Sequence, residues 1–219
     1  MCGRFGLDLD MTHLLNFYDA TLAFNKVVSV PNWNCAPTQQ LPIIRQEATG
    51  RVVDLSRWGW RRPFTRAPLI NARADHILTT TKTFRKALAE RRCVVPATNF
   101  YEWQVIDAKT KQPFAIGLKD APVFAMAGLW EDETHDGFTE RCHLVCTIEP
   151  NEMMLSIHDR QPLILIDREQ VDCWLNPESK MPDIVALIRT TPPELMHAWK
   201  VGKNVGNVKN NNPDLAKPI

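Results

Sequence analysis

The sequence predicts one α+β domain across residues 1–219, rich in strands and with short helices. Three observations carry that prediction. Short runs of β-branched, aromatic and aliphatic residues recur along the chain, each bounded by Pro, Gly, Asn or Asp. Segments with helical spacing are few and brief. At 25.0 kDa, with 44% hydrophobic and 23% charged residues, the chain can bury a substantial core, and no repeat or low-complexity linker divides it.

Taken in order, Asp10 opens an amphipathic pattern in which Leu14, Leu15, Phe17, Tyr18 and Leu22 recur at helical spacing. Pro31 to Thr38, dense in Pro and Asn, reads as a loop. Leu41–Arg45 and Arg51–Trp58 read as a hairpin across Ala48-Thr49-Gly50. Thr83 to Arg92 reads as a short basic helix, followed by Cys93–Pro96 and an aromatic strand, Phe100 to Gln104. In that strand alternation sets Tyr101 and Trp103 on one face and Phe100, Glu102 and Gln104 on the other. Asp107–Lys111 is a turn into Pro113–Leu118, and Pro122–Trp130 is a further apolar strand. Glu131 to Glu140 is acidic and reads as a solvated loop. Cys142–Thr147 is a strand, Pro150 starts a short helix, and Asp167 is the N-cap of a helix through Trp174. The asparagine-rich tail reads as turns.

No run of eighteen apolar residues and no basic-then-apolar leader is present, so the expectation is a cytoplasmic protein with no membrane contact. The six cysteines lack paired metal-site spacing and are expected to be free thiols. Cys142 and Cys146 lie about 13 Å apart if their segment is a strand, too far to share a metal ion. Neither a metal nor another cofactor is expected. The net charge of +1 does not by itself declare a nucleic-acid partner.

Local charge is more informative. Between Arg57 and Arg73 stand five arginines (57, 61, 62, 66 and 73) and no acid, interleaved with Trp58, Trp60 and Phe64. Guanidinium groups that neutralise phosphates, beside rings that stack on bases, suit single-stranded nucleic acid. Lys82, Arg85, Lys86, Arg91 and Arg92 extend the basic character. The plain alternative is that the tryptophans anchor a core and the arginines form a solvated edge.

The opening Met1-Cys2-Gly3-Arg4-Phe5 carries a distinct chemistry. Cys2 is small enough that Met1 can be trimmed, leaving a terminal cysteine with amine and thiol on adjacent carbons. The amine can attack an aldehyde to give an imine, and the thiol then closes a thiazolidine ring. An α-amine titrates near ~7.7–8.0 against ~10.4 for lysine, so roughly a tenth is free nucleophile at neutral pH. The thiol, at ~8.5, needs a nearby base or cation. The bland reading is an accidental cysteine on a frayed terminus.

Six motifs in register tie these segments together: Met1-Cys2-Gly3-Arg4, Asn34-Cys35-Ala36-Pro37, Asn71-Ala72-Arg73, Phe100-Tyr101-Glu102-Trp103, His158-Asp159-Arg160 and Gly206-Asn207-Val208-Lys209-Asn210. In them the chain resembles the SOS-response-associated peptidase (SRAP) family over nearly its whole length. That resemblance implies a curved, barrel-like mixed sheet flanked by short helices. It implies a monomer that senses and shields abasic sites in single-stranded DNA. The crosslink would be a thiazolidine through Cys2 after removal of Met1, with self-cleavage of Met1, a lyase-like reaction at such sites, and a nucleoid location when bound. Cys2 would be the nucleophile. Asn71 would orient the amine or the sugar, and Glu102 and His158 would move protons. Arg4, Arg73, Arg160 and Thr147 would meet phosphates, while Asn34, Pro37, Phe64 and Trp103 would line the DNA channel.

The chain departs from the family pattern in places. Pro63-Phe64 stands where a Trp-rich wedge is usual, and Asn99 where glycine is usual, as if to accept left-handed geometry. Asp75 replaces a common glutamate and Gln161 a common methionine. Two other functions remain open: an N-terminal-cysteine hydrolase acting on peptides, with His158 as base, and a single-strand binding module in which Cys2 has no role.

Overall fold

The computed structural model describes residues 2–23, 30–63, 65–77 and 82–219. The chain starts with β1 (Phe5–Leu7) and then α1 (Met11–Tyr18), whose N-cap Asp10 accepts from the His13 amide. The helical pattern reaches Leu22, but Asp19 turns left-handed and ends α1, and Ala20–Leu22 becomes β2. Asn32–Cys35, read as loop, is strand β3, paired antiparallel to β1. The expected hairpin is present as β4 (Gln40–Glu47) and β5 (Gly50–Trp58), with Glu47 opposite Gly50.

β6 (Asn71–Arg73), α2 (Ala74–Ile77) and α3 (Lys82–Glu90) lead to β7 (Arg92–Ala97), β8 (Asn99–Val105) and β9 (Lys111–Leu118). β10 (Phe124–His135) and β11 (Phe138–Ile148) follow, then α4 (Glu152–Leu155), β12 (Gln161–Pro162) and β13 (Ile164–Leu165). The acidic Glu131–Glu140 segment is therefore a hairpin tip rather than a loop. Asp136 and Gly137 both have positive φ, which matches the two-residue turn that joins twisted strands. α5 (Arg168–Leu175), α6 (Met181–Ala186) and β14 (Met196–Lys200) complete the chain, and Asp167 caps α5 as expected. β14 precedes the asparagine-rich tail, which is built of short 3-10 segments and turns as expected.

Five strands close on themselves in the order β5, β4, β7, β10, β11, with β11 returning to β5. That last pairing is parallel, Arg57 opposite Cys142 and Trp58 opposite His143, so the barrel is mixed. Its interior is tight enough that a Cβ on Gly128 would stand 2.9 Å from both Cys93 Sγ and the Leu144 carbonyl. A second sheet, in the order β14, β9, β8, β1, β3, packs against the barrel. Phe5 and Trp58 join the two, their ring centroids 5.2 Å apart.

Alternation along β8 divides its side chains as expected. Phe100 joins the main core, while Tyr101 and Trp103 pack on the other face with Val201, Val205 and Leu215. Glu102 therefore shares the face of Phe100. Asn99 is extended, not left-handed. It fits because Gly6 opposite has no side chain; a Cβ there would meet Asn99 Oδ1 at 2.5 Å.

Candidate active site

The site begins where β1 meets β8. Phe5 lies opposite Phe100, and the Tyr101 amide donates to the Arg4 carbonyl at 2.9 Å. That contact sets Arg4 beside Tyr101, next in chain to Glu102. Cys2 is fully buried. Burial pushes its thiol far above the usual range, the Glu102 charge adds to that, and the Arg4 backbone opposes it. The thiol is therefore neutral here: the positive amino terminus favours the thiolate, but burial outweighs it.

Glu102 is 3% exposed. Burial raises its carboxyl to about 7, the positive amino terminus opposing that rise and the negative charge of Asp159 adding to it. Its Oε2 lies 3.6 Å from His158 Nε2. Burial lowers the His158 imidazole below its ordinary value, so the ring is neutral at pH 7. A carboxyl near half-protonation beside a neutral imidazole makes a pair able both to give and to take a proton.

His158 is carried by the turn after α4. Asn151 caps that helix through the Met154 amide at 2.9 Å and donates to the Thr191 carbonyl at 2.8 Å. The Met154 carbonyl then accepts from both Ile157 and His158 amides at 2.8 Å. Gln104, two residues beyond Glu102, donates to the Ser156 carbonyl at 2.6 Å. One pin thus joins the strand bearing the acid to the turn bearing the imidazole.

Asn71 opens β6, which lies parallel to β11 with Asn71 opposite Val145 and Arg73 opposite Thr147. Its Nδ2 donates weakly to the Val145 carbonyl at 3.4 Å. Its Oδ1 is buried and has no partner among the described residues. A buried amide oxygen left without a donor is an acceptor waiting for one.

The residues expected to hold DNA fall into two groups. Arg73 is exposed, 3.7 Å from Asp75, and lines a cleft of about 570 Å3 with Thr147, Glu149, Pro150, Leu155, Asp159 and Arg160. Pro37 and Trp103 are partly exposed. Others are engaged inside the fold. Arg160 is 6% exposed and grips Asp75 with two hydrogen bonds of 2.8 and 2.7 Å, while also donating to the Thr147 carbonyl at 2.8 Å. Arg4 donates to Asn34 Oδ1 at 2.8 Å and to the Val205 carbonyl at 2.7 Å, and its guanidinium lies 5.9 Å from the Trp103 ring centroid. Asn34 is buried, and its Nδ2 faces the carbonyls of Val205, Asn207 and Asn210 at 3.3, 3.1 and 2.8 Å. It pins the C-terminal segment under the terminus. Phe64 and the side chain of Lys82 lie outside the described residues.

The arginine–aromatic stretch takes the plainer of its two readings for much of its length. Trp58 and Trp60 are wholly buried. Arg57 is buried between Glu133 and Glu140 at 2.6 Å each, and Arg62 pairs with Glu131 at 2.7 Å and Glu133 at 3.3 Å. The acids of the β10–β11 hairpin answer the arginines that precede β6, while Arg61, Arg66 and Arg73 remain exposed.

Among the described residues all six cysteines are free, no cluster of His, Cys, Asp and Glu is placed to hold a metal ion, and no helix is long and apolar enough to cross a membrane. Sequence reasoning missed Asp159, which stands 3.0 Å from His158 Nδ1. Its place inside the His158-Asp159-Arg160 motif was the available signal.

Comparison with known proteins adds three findings. The family described as SOS response associated peptidase (SRAP) matches residues 1–208. The chain is 37% identical to the abasic site processing protein YoaM of Bacillus subtilis, over 98% of this chain and 97% of that one, and 27% identical to YedK of Escherichia coli, named likewise, over the whole of both. A crystal structure of a Bacteroides thetaiotaomicron protein, 24% identical, superposes over both full chains with a TM-score of 0.85.

Proposed function

The chain belongs to the SOS response associated peptidase family, and from that premise we propose that it senses abasic sites in single-stranded DNA and shields them covalently. The relatives named for abasic-site processing support the lesion as target. The observation that carries the chemistry is the proximity of three groups: the Glu102 charge bears on buried Cys2, and Glu102 lies 3.6 Å from His158.

Removal of Met1, which we assign to the chain itself, frees the amine of Cys2. An abasic sugar rests mostly as a closed hemiacetal, so a proton must move before an aldehyde exists. The amine adds to C1′, the carbinolamine loses water, and an imine results. The thiol then adds to the imine carbon while its proton passes to nitrogen, so one aldehyde and one aminothiol give a thiazolidine and one water. Glu102, near half-protonation, suits delivery of a proton to the departing hydroxyl. Neutral His158 suits removal of one from the ammonium. Asn71 supplies an acceptor for the amine or the sugar. The same imine is where a lyase-like elimination would branch off, and ring closure withdraws it. Arg73 meets phosphate at the cleft, with Trp103 and Pro37 along the channel. Arg4, Asn34, Thr147 and Arg160 brace that surface from within, contacting the strand where their donors reach it.

A peptide hydrolase would need a thiolate, and therefore a thiol whose pKa is lowered. Cys2 is shifted the other way. The amine-first route needs no thiolate before ring closure, so it fits the pocket better.

The test uses an oligonucleotide carrying one abasic site and detection by denaturing gel and intact mass. The wild-type chain, processed at Met1, should gain the oligonucleotide mass less one water. Cys2→Ala should give no adduct while still binding the strand. An adduct formed by Cys2→Ala would end the reading.

A further inference from the structure

His158 sits at a fork. Its Nδ1 accepts from the Arg160 backbone N–H at 3.1 Å, and the same nitrogen lies 3.0 Å from Asp159 Oδ1. In a neutral ring these two contacts exclude one another. An N–H partner requires a bare Nδ1, which puts the ring proton on Nε2, facing Glu102. A carboxylate partner requires Nδ1–H, which leaves the Nε2 lone pair facing the pocket.

We propose that Asp159 is a positioning residue: by taking the Nδ1 proton in a hydrogen bond it bares Nε2 as a base for the Cys2 amine, and it then holds the imidazolium that forms. This rests on the aldehyde-capture reading above. Nε2 takes one proton from the Cys2 ammonium, which frees the amine lone pair for attack. The imidazolium then carries N–H on both nitrogens, one toward Asp159 and one toward Glu102. Glu102 gives its proton to the carbinolamine hydroxyl, which leaves as water, and the imidazolium then passes its proton to Glu102, restoring the neutral ring.

The surroundings leave this task to Asp159. Lys111 on β9 and the positive amino terminus both disfavour the imidazolium, as does burial, while the Asp159 carboxylate favours it. Glu102 faces the ring from β8. The Arg160 guanidinium is turned away and held by Asp75. Asp159 also lines the cleft with Arg73, where its charge opposes an incoming phosphate. Its side chain is 89% exposed, so its removal should leave the fold intact.

The experiment compares wild type, Asp159→Ala and Asp159→Glu in three measurements. Nitrogen-15 NMR of the His158 ring, without DNA, reports the tautomer and its titration. Wild type should show Nδ1–H population that Asp159→Ala loses to Nε2–H, with the ring titrating at lower pH, and Asp159→Glu should restore both. The rate of adduct formation should fall about tenfold or more in Asp159→Ala. Affinity for a strand with a tetrahydrofuran site, which has no aldehyde, should tighten roughly two- to threefold in the same variant. An unchanged tautomer and titration in Asp159→Ala would overturn the proposal, even if adducts form normally. A wild type that forms no adduct while its tautomer depends on Asp159 would sink the capture reading and leave the pairing supported.

Discussion

Two regions of this molecule bury charged side chains, and they do it in opposite ways. At the barrel mouth Arg57 sits between Glu133 and Glu140, Arg62 beside Glu131 and Glu133, and Arg141 is paired with Asp54 and Asp132. Every buried cation there meets a carboxylate. Near the terminus Glu102 instead sits beside a neutral imidazole, a neutral thiol and the positive amino terminus, and burial outweighs that one charge, so its pKa moves to about 7. Where opposite charges are matched, burial makes structure. Where a titrating group is left to shift, burial makes a proton donor or acceptor. Arg57 and Arg62 of the basic stretch belong to the first kind, while Cys2, Glu102 and His158, each from a different motif, belong to the second.

The sharpest way to break that contrast is Glu102→Gln. The adduct rate should fall about 100- to 10,000-fold, the range for losing a positioned acid–base group. Stability should move the other way. The folded chain holds a proton on Glu102 up to about pH 7, whereas the unfolded chain loses it near 4.5, so stability falls as pH rises through that window. Glu102→Gln removes this penalty. The variant should be more stable than wild type at pH 8, on the order of 2 kcal/mol, with the difference gone by pH 4. Denaturant melts at the two pH values decide it: equal curves at pH 8 would mean that Glu102 is not held protonated by the fold.

Arg57→Ala should behave in reverse. It strands two carboxylates and should cost about 3–5 kcal/mol at pH 8. Below its melting temperature the variant should form adduct at the wild-type rate, since Arg57 belongs to the barrel and not to the pocket. A stable Arg57→Ala with a crippled adduct rate would dissolve the distinction between the two regions.

Much of this was legible in the chain, and the misses have physical causes. The Leu41–Trp58 hairpin, the two faces of β8 and the Asp167 cap follow from alternation and capping, which are local. The Glu131–Glu140 segment was misread because charge suggests solvent. The pair Asp136-Gly137 was there to announce a two-residue turn, and the arginines that make the acids tolerable come from a distant strand. β3 looked like a loop for its asparagines and the prolines, 31 and 37, that flank it. Asn34 is instead spent on three carbonyls of the C-terminal segment, contacts that no local pattern encodes. The candidate site residues come from motifs, but the fork at His158 Nδ1 depends on how Asp159 folds back on its neighbour, which no local pattern encodes.

Gln104 tests how rigidly the pocket must be held. Its hydrogen bond to the Ser156 carbonyl is exposed to solvent, so Gln104→Ala should change global stability by less than about 1 kcal/mol. The turn bearing His158 keeps its other anchor, the two amides on the Met154 carbonyl. The imidazole should therefore stay near Glu102 with a looser spacing. Misplacement of reacting groups is felt steeply in rate, so even slight play should slow adduct formation roughly two- to fivefold. Single-turnover rates with saturating abasic strand would read this directly. A loss beyond tenfold would mean that the pocket owes its geometry to this one pin. No loss at all would mean that burial alone, from the barrel side, holds the acid and the imidazole in place.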